Sequence, residues 1–308
     1  MKVFEGLESV TAPFPCSTVA IGTFDGVHIG HQAIIKTAVA DAHDHGRPSV
    51  VFTFDRHPAE LLAPERVPGY LTTPEQRDRF IAELGADALV IARFDSALSS
   101  LSPDLFVRDI LKTLLGAQTI VVGTNFQFGQ ARAGNVEYLR SAEPRFGFRL
   151  HAIEPIQFAG RPASSTRIRE ALRRADIQEA EAILGHDYML VGPVVTGQRL
   201  GRTLGYPTAN LENRYKQVVP GDGIYAVFVI LPDGRRVGGA CSIGNRPTIE
   251  GAGRSIETYL LDFEDDLYGQ QIEIRFVKRL REEEKFASLE ALKDQMAWDV
   301  REARQILL

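Results

Sequence analysis

The sequence predicts an α/β domain on a parallel sheet, followed by an antiparallel β-barrel that closes with a helix. Three observations predict this. In the first half, short apolar runs alternate with helix-like stretches. After about residue 187 the chain becomes a series of extended segments separated by Gly, Pro and Asp-Gly. At the end, Leu289, Leu292, Met296, Val300, Ala303 and Leu307 recur at helical spacing. Strands alternating with helices imply βαβ units and a parallel sheet. Short strands in unbroken succession imply a sheet folded on itself.

In the first half, strands are expected over residues 18–21, 49–54, 88–92, 119–123 and 149–153, with helices near 31–45, 74–84 and 103–115. Two short helices follow, starting at Thr166 and Asp176, and the domains are expected to meet near 186/187. In the second half, extended segments are expected from Met189, over 223–231, 236–243, 255–262 and 271–276. Pro232, Asp233 and Gly234 between two apolar runs predict a hairpin turn. The division read from the sequence is 1–186 and 187–308.

The chain has 308 residues, enough for two domains. Lys plus Arg total 35 and Asp plus Glu 40, a formal charge of −5. That balance argues against a general nucleic-acid or anionic-membrane binder, but not against a nucleotide substrate. Cys16 and Cys241 match no metal spacing and no disulfide scaffold. The opening residues lack a signal-peptide core, and no run approaches the ~20 apolar residues of a membrane helix. A cytoplasmic protein is expected. Homo-oligomerisation is left open.

The stretch 22–32, GTFDGVHIGHQ, follows a predicted strand and opens a helix. Gly22, Gly26 and Gly30 permit a tight turn and close backbone approach. A helix start offers N–H groups and a positive dipole end to phosphate. His28 and His31, three apart, can point to one side and donate to phosphate oxygens. The stretch is neither a P-loop nor a Gly-x-Gly-x-x-Gly turn. Read without its context, it is a glycine turn with two surface histidines.

His28-Ile29-Gly30-His31 resembles the signature of the nucleotidyltransferase superfamily. Three further segments stand at expected strand ends: TFDRHP at 53–58, VGTNFQFG at 122–129 and SSTRIR at 164–169. Together they resemble the adenylyltransferase half of bacterial bifunctional riboflavin kinase/FAD synthetases. The resemblance implies a Rossmann-like parallel sheet over about residues 1–185. It implies that His28 and His31 contact ATP phosphates and that Asn125 lies in the nucleotide and flavin-phosphate pocket. Ser165, Thr166 and Arg169 would hold the triphosphate. Gly22 and Asp25 complete the nucleotide-site set. Ser165 and Thr166 also suit plain helix capping. Arg167 and Arg169 are either substrate contacts or a solvated face. Asn125 stands where many members carry an acid, Arg56 where many have proline and Ala163 where many have isoleucine. Asn donates as well as accepts.

In the second half, GQRLGRTLGYPTAN at 197–210 is the most specific string. Gly201 and Gly205 can let the backbone close over phosphates beside Arg202. Thr208 and Asn210 are two apart, so on a strand they face one way. Both offer oxygens, which suits Mg²⁺. Composition alone also allows a Gly/Pro turn before an edge strand. The string resembles the Pro-Thr-Ala-Asn motif of riboflavin kinases. PGDGIY at 220–225, SIGNRPT at 242–248, ETYLLD at 257–262, DLYG at 266–269 and REEEKF at 281–286 follow in family order. By this resemblance Thr208 and Asn210 hold Mg²⁺–ATP, and Glu257 is the base for the ribityl 5′-hydroxyl. Arg281 and Glu284 would meet the flavin ring, though 281–285 also reads as a charge run.

The resemblance implies a bifunctional transferase. Riboflavin is phosphorylated to FMN in the C-terminal half, and FMN is adenylylated to FAD in the N-terminal half with release of pyrophosphate. ATP is co-substrate, and flavins are substrates and products. Three other readings stand beside it: a monofunctional kinase with a degenerate N-terminal half, a tRNA-charging enzyme suggested by His-Ile-Gly-His, and a non-catalytic flavin-binding regulator. The chain lacks the second signature loop and basic surface of a tRNA-charging enzyme.

Overall fold

The computed structural model describes residues 1–197, 200–245 and 254–308. Backbone contacts divide the chain into two compact units: Met1–Pro68 with Pro74–Ser164, and Gly69–Thr73 with Ser165–Leu308.

The first unit carries strands β1 (Lys2–Glu5), β2 (Ser17–Ile21), β3 (Ser49–Phe54), β4 (Ala88–Ala92), β5 (Ala117–Gly123) and β6 (Arg149–Ile153). They form one parallel sheet in the order β1-β4-β3-β2-β5-β6. Every residue of β2 and β4 is buried, as expected of strands covered on both faces. Helices α1 (Ile29–Asp44), α2 (Pro74–Glu83) and α3 (Val136–Phe146) belong to the connections. A short hairpin, β7 (Gln157–Phe158) with β8 (Arg161–Pro162), ends the unit.

Beyond such short pieces, an edge strand and a helix differ from the sequence reading. The chain enters the sheet one strand earlier than expected, because Lys2–Glu5 pairs with β4 at the edge. Its four residues are mostly exposed, so they carry no apolar run to read. Helix α3 was not expected either. Pro144 lies inside it and Gly147 ends it in the left-handed conformation at φ 65°.

The second unit begins with α4 (Ser165–Arg173) and α5 (Ile177–Leu184), the latter capped by Asp176, whose carboxylate accepts from Glu179 N–H at 3.0 Å. Strands β9 (Met189–Val195), β10 (Thr208–Leu211), β11 (Gly223–Ile230), β12 (Arg236–Asn245), β13 (Arg254–Leu260) and β14 (Gln271–Arg281) follow. They close a barrel in the order β10-β13-β12-β11-β14-β9, each pair antiparallel. Alternation separates inside from outside: Tyr225, Val227, Cys241, Ile243, Ile256, Thr258, Ile274 and Phe276 are buried. Helix α6 (Leu289–Leu307) lies on the outer face, where Ala303 packs on Ala226 and Ala240. The small residues on both sides let the helix approach closely.

Segment Gly69–Thr73 is tied into this unit. Tyr70 N–H donates to Lys216 O at 3.1 Å, Val218 N–H donates to Tyr70 O at 2.8 Å, and Arg169 Nε donates to Gly69 O at 2.8 Å. Among the described residues, no helix is long and apolar enough to cross a membrane.

Candidate active sites

In the parallel sheet, the strand order reverses between β2 and β5. From β2 the chain runs outward through β3 and β4, then returns to β5 on the other side of β2. Ligands on such sheets bind at this reversal, beyond the strand carboxyl ends. The loop after β2 carries Gly22 to His28, and the loop after β5 carries Asn125.

The β2 loop is tightly wound. Phe24, Gly26 and Val27 have φ of 49°, 83° and 38°. Two non-glycine residues in that region store strain, which structures tolerate where a site requires it. Phe24, Asp25 and His28 are buried. Gly22 is required sterically, since a Cβ there would lie 2.9 Å from the Phe24 ring.

His28 caps α1. Its Nδ1 accepts from Gly30 N–H at 3.1 Å and His31 N–H at 3.3 Å. An accepting Nδ1 carries no proton, so in the neutral ring the proton sits on Nε2, which is then a donor. The His31 ring stacks on His28 with centroids 3.7 Å apart and planes at 19°, and meets Phe24 edge-on at 5.4 Å. Gly30 leaves room for this arrangement, because a Cβ would fall 3.0 Å from His28 Cε1. Asn125 is exposed beyond β5, and Gly123 gives its Oδ1 space that a Cβ would occupy at 3.0 Å.

Ser165, Thr166 and Arg169 belong to the second unit, at the start of α4. Ser165 is half-buried and Thr166 exposed. The alternative of a solvated arginine face does not hold: Arg167 and Arg169 are each 6% exposed. Arg167 is bound to Glu179 at 2.6 Å, and Arg169 holds Gly69. Neither tie is legible locally, since the partners lie on another helix and in a segment about a hundred residues away.

On the barrel, Asn210 of β10 stands opposite Glu257 of β13, and Thr208 opposite Tyr259. The Thr208 hydroxyl donates to Glu257 Oε2 at 3.3 Å. Glu257 and Thr208 are half-buried and Asn210 is buried. Gly197 lies on Asn210: a Cβ would fall 2.4 Å from its Nδ2. Gly201 lies on the turn before Thr208, where a Cβ would meet Tyr206 O at 2.4 Å. Gly205 takes φ 89° in the same turn. A cavity of about 530 Å³ opens here, lined by Gly197, Thr208, Asn210, Phe263, Asp265 and Asp266 among others. The Arg202 and Asn245 side chains and residues 246–248 of the 242–248 motif lie outside the described residues.

Arg281 ends β14. Its Nε and Nη2 each donate to the Asp299 carboxylate of α6 at 2.8 Å, and Gln295 donates to the same group at 3.0 Å. The hydrogen bonds that Arg281 donates to Asp299 hold the pKa of its guanidinium above the ordinary value. Glu284 is exposed in the segment that follows. Sequence reasoning missed Asp299, whose helical position gives no local sign of an arginine partner.

The fold therefore joins a parallel-sheet unit and a barrel unit, and each carries its own cluster of candidate site residues. Residues 13–167 match the family model for FAD synthetase, and residues 184–307 match that for riboflavin kinase. The chain is 37% identical over 306 residues to the bifunctional riboflavin kinase/FMN adenylyltransferase of Escherichia coli (strain K12), covering 99% of this chain and 97% of that one. The protein of that name from Pseudomonas fluorescens is 39% identical over 307 residues, with 99% and 98% covered. A crystal structure of a chain described as a macrolide-efflux protein from Streptococcus pneumoniae superposes with a TM-score of 0.88 at 29% identity, covering 99% of both chains. The chain belongs to the bifunctional riboflavin kinase/FMN adenylyltransferase family. The readings with one half degenerate or both halves non-catalytic are not favoured, because each half matches its own model.

Proposed function

We propose that the chain makes FMN from riboflavin in residues 187–308 and FAD from FMN in residues 1–186, each step with ATP. The observation that supports this most is the register of Asn210 beside Glu257, with the Thr208 hydroxyl 3.3 Å from the Glu257 carboxylate. It brings a candidate base within one strand of two oxygen ligands.

In the kinase step, Glu257 accepts the proton of the ribityl 5′-hydroxyl while that oxygen bonds to the γ-phosphorus and ADP departs. Thr208 and Asn210 would hold Mg²⁺. Their oxygens suit a hard cation, and the cradle fits because Gly197 leaves free the space that a Cβ would take against Asn210. When bound with ATP, the ion supplies charge neutralisation on the phosphates. Gly201 and Arg202 would close over those phosphates. Arg281, its plane fixed by Asp299, and Glu284 would meet the flavin ring.

In the adenylyl step, an FMN phosphate oxygen bonds to the α-phosphorus of ATP, and the bond to the pyrophosphate oxygen breaks. No covalent enzyme intermediate is needed, so positioning and charge stabilisation carry the rate. His28 is a donor through Nε2, since its Nδ1 is committed to α1. His31, stacked on it, is the second candidate donor. Gly22, Asp25 and Asn125 would contribute the nucleotide pocket, and Ser165, Thr166 and Arg169 the triphosphate contacts. Arg169 is held at the start of α4 by its Nε, which donates to Gly69 O.

Cytoplasmic residence and the absence of a nucleic-acid partner are part of this reading. They are supported by two free cysteines and a net charge of −5. The test is incubation with riboflavin, ATP and Mg²⁺, followed by chromatographic separation of flavins. FMN should rise first and FAD follow. FMN alone would sink the second activity, and neither product would sink both.

A further inference from the structure

Glu257 has a register partner on each side in the barrel wall, and the two differ. On β10 it faces Asn210, and on β12 it faces Ser242. Ser242 in turn stands opposite Ile224 of β11, and Ile224 opposite Arg281 of β14. Asn210, Glu257, Ser242, Ile224 and Arg281 therefore make one row across the barrel. At Ser242 and Glu257 the row faces away from the barrel interior, because Cys241, Ile243, Ile256 and Thr258, which alternate with them, are the fully buried residues. Directly opposite side chains have Cβ atoms about 5 Å apart. Helix α6 is seated one register step along, on Ala226 and Ala240, and its Asp299 reaches the end of the row at Arg281.

This row has a direction for phosphoryl transfer, given the kinase reading above, on which the inference rests. With Mg²⁺–ATP on the Asn210 side, the attacked phosphorus lies toward β10. A hydroxyl that gives its proton to Glu257 and attacks that phosphorus must arrive from the other side, over β12. The first side chain there is Ser242. It is half-buried, and its hydroxyl makes no hydrogen bond within the described residues. The next member, Ile224, offers only carbon. A serine hydroxyl both donates and accepts, which suits an acceptor carrying several alcohol groups.

We infer that Ser242 contacts the acceptor substrate, its hydroxyl hydrogen-bonding the polyol chain of the flavin alcohol beside Glu257 and so selecting for that chain. The donor nucleotide does not touch it.

The test uses the full chain and flavin fluorescence without ATP. Ser242→Ala should weaken riboflavin binding roughly three- to tenfold, the value of one neutral hydrogen bond. The KM for riboflavin should rise in parallel, while the KM for ATP stays unchanged. Ser242→Thr, which keeps the hydroxyl, should restore both. Lumiflavin, which has the ring system without the polyol chain, should bind wild type and Ser242→Ala equally. Unchanged riboflavin binding in Ser242→Ala would overturn the inference. A rise in the KM for ATP instead would overturn the donor-to-acceptor order. An equal loss of lumiflavin binding would overturn the assignment to the polyol chain. A wild type that makes no FMN would overturn the kinase reading itself, a result distinct from a working wild type that is indifferent to Ser242.

Discussion

Gly197→Ala should disable one activity and spare the other. An alanine Cβ at this position would lie 2.4 Å from Asn210 Nδ2 and 2.5 Å from both Cγ and Oδ1. Ordinary contacts to carbon are about 3.5–4.0 Å, so roughly 1 Å must be found. Asn210 is 5% exposed and sits in a paired strand, so its short side chain has little room to retreat. The amide therefore moves, and with it a proposed metal ligand one strand from Glu257. Misplacement by about 1 Å near reacting groups costs on the order of 100-fold in rate. The accompanying overpacking should cost about 1–3 kcal/mol of stability in this unit. The assay is the initial rate of FMN formation from riboflavin, with FAD formation from supplied FMN in the same preparation as control. The first should fall by about two orders of magnitude and the second should hold. An unchanged kinase rate would refute the reasoning, because Asn210 would then be free to move without consequence.

Gly30→Ala places a Cβ 3.0 Å from His28 Cε1 and 3.2 Å from its Nδ1, tilting the ring that caps α1. FAD formation should drop roughly tenfold with FMN formation intact; equal losses in both would contradict the assignment. Glu181 accepts from Tyr188 N–H at 2.9 Å, and burial raises its carboxyl to about 7 from 4.5. The folded state keeps a proton that the unfolded chain releases, so stability should fall as pH rises from 4.5 to about 7. Glu181→Gln stays neutral and should gain about 2 kcal/mol over wild type at pH 8, after discounting for its partial exposure, and nothing near pH 4; denaturant titrations at the two pH values decide this. Arg47 binds Asp41 at 2.6 Å with both side chains under a tenth exposed, and also reaches Thr18 and Thr119. Arg47→Met leaves that carboxylate buried without its cation and should cost about 3–5 kcal/mol in urea unfolding; a loss near zero would show that the network is not stabilising.

The interior strands were legible because their signal is local. Residues 49–54 and 88–92 are short apolar runs with helical stretches on either side, and they fold as read. The barrel strands were legible in the same way, through alternation and turn residues such as Asp233 and Gly234. Elements that depend on distant partners were not. Lys2–Glu5 is a strand only because β4 offers its edge. Gly69–Thr73 packs with the barrel unit because of residues 216–218 and Arg169, about a hundred or more positions away. The site follows the same division. His28 and His31 announce themselves by spacing at a helix start. Thr208, Asn210 and Glu257 are brought together only through the pairing of β10 with β13, and Ser242 joins them only through β12. Strand register is a non-local quantity, and no window of sequence contains it.

The division of labour between the two halves is tested most directly by a crossed pair of variants, Glu257→Gln and His28→Ala, each assayed for FMN formation from riboflavin and for FAD formation from FMN. Glu257→Gln should abolish the first reaction and leave the second at the wild-type rate. His28→Ala should depress the second and leave the first. Either variant impairing both reactions equally would contradict two separate sites.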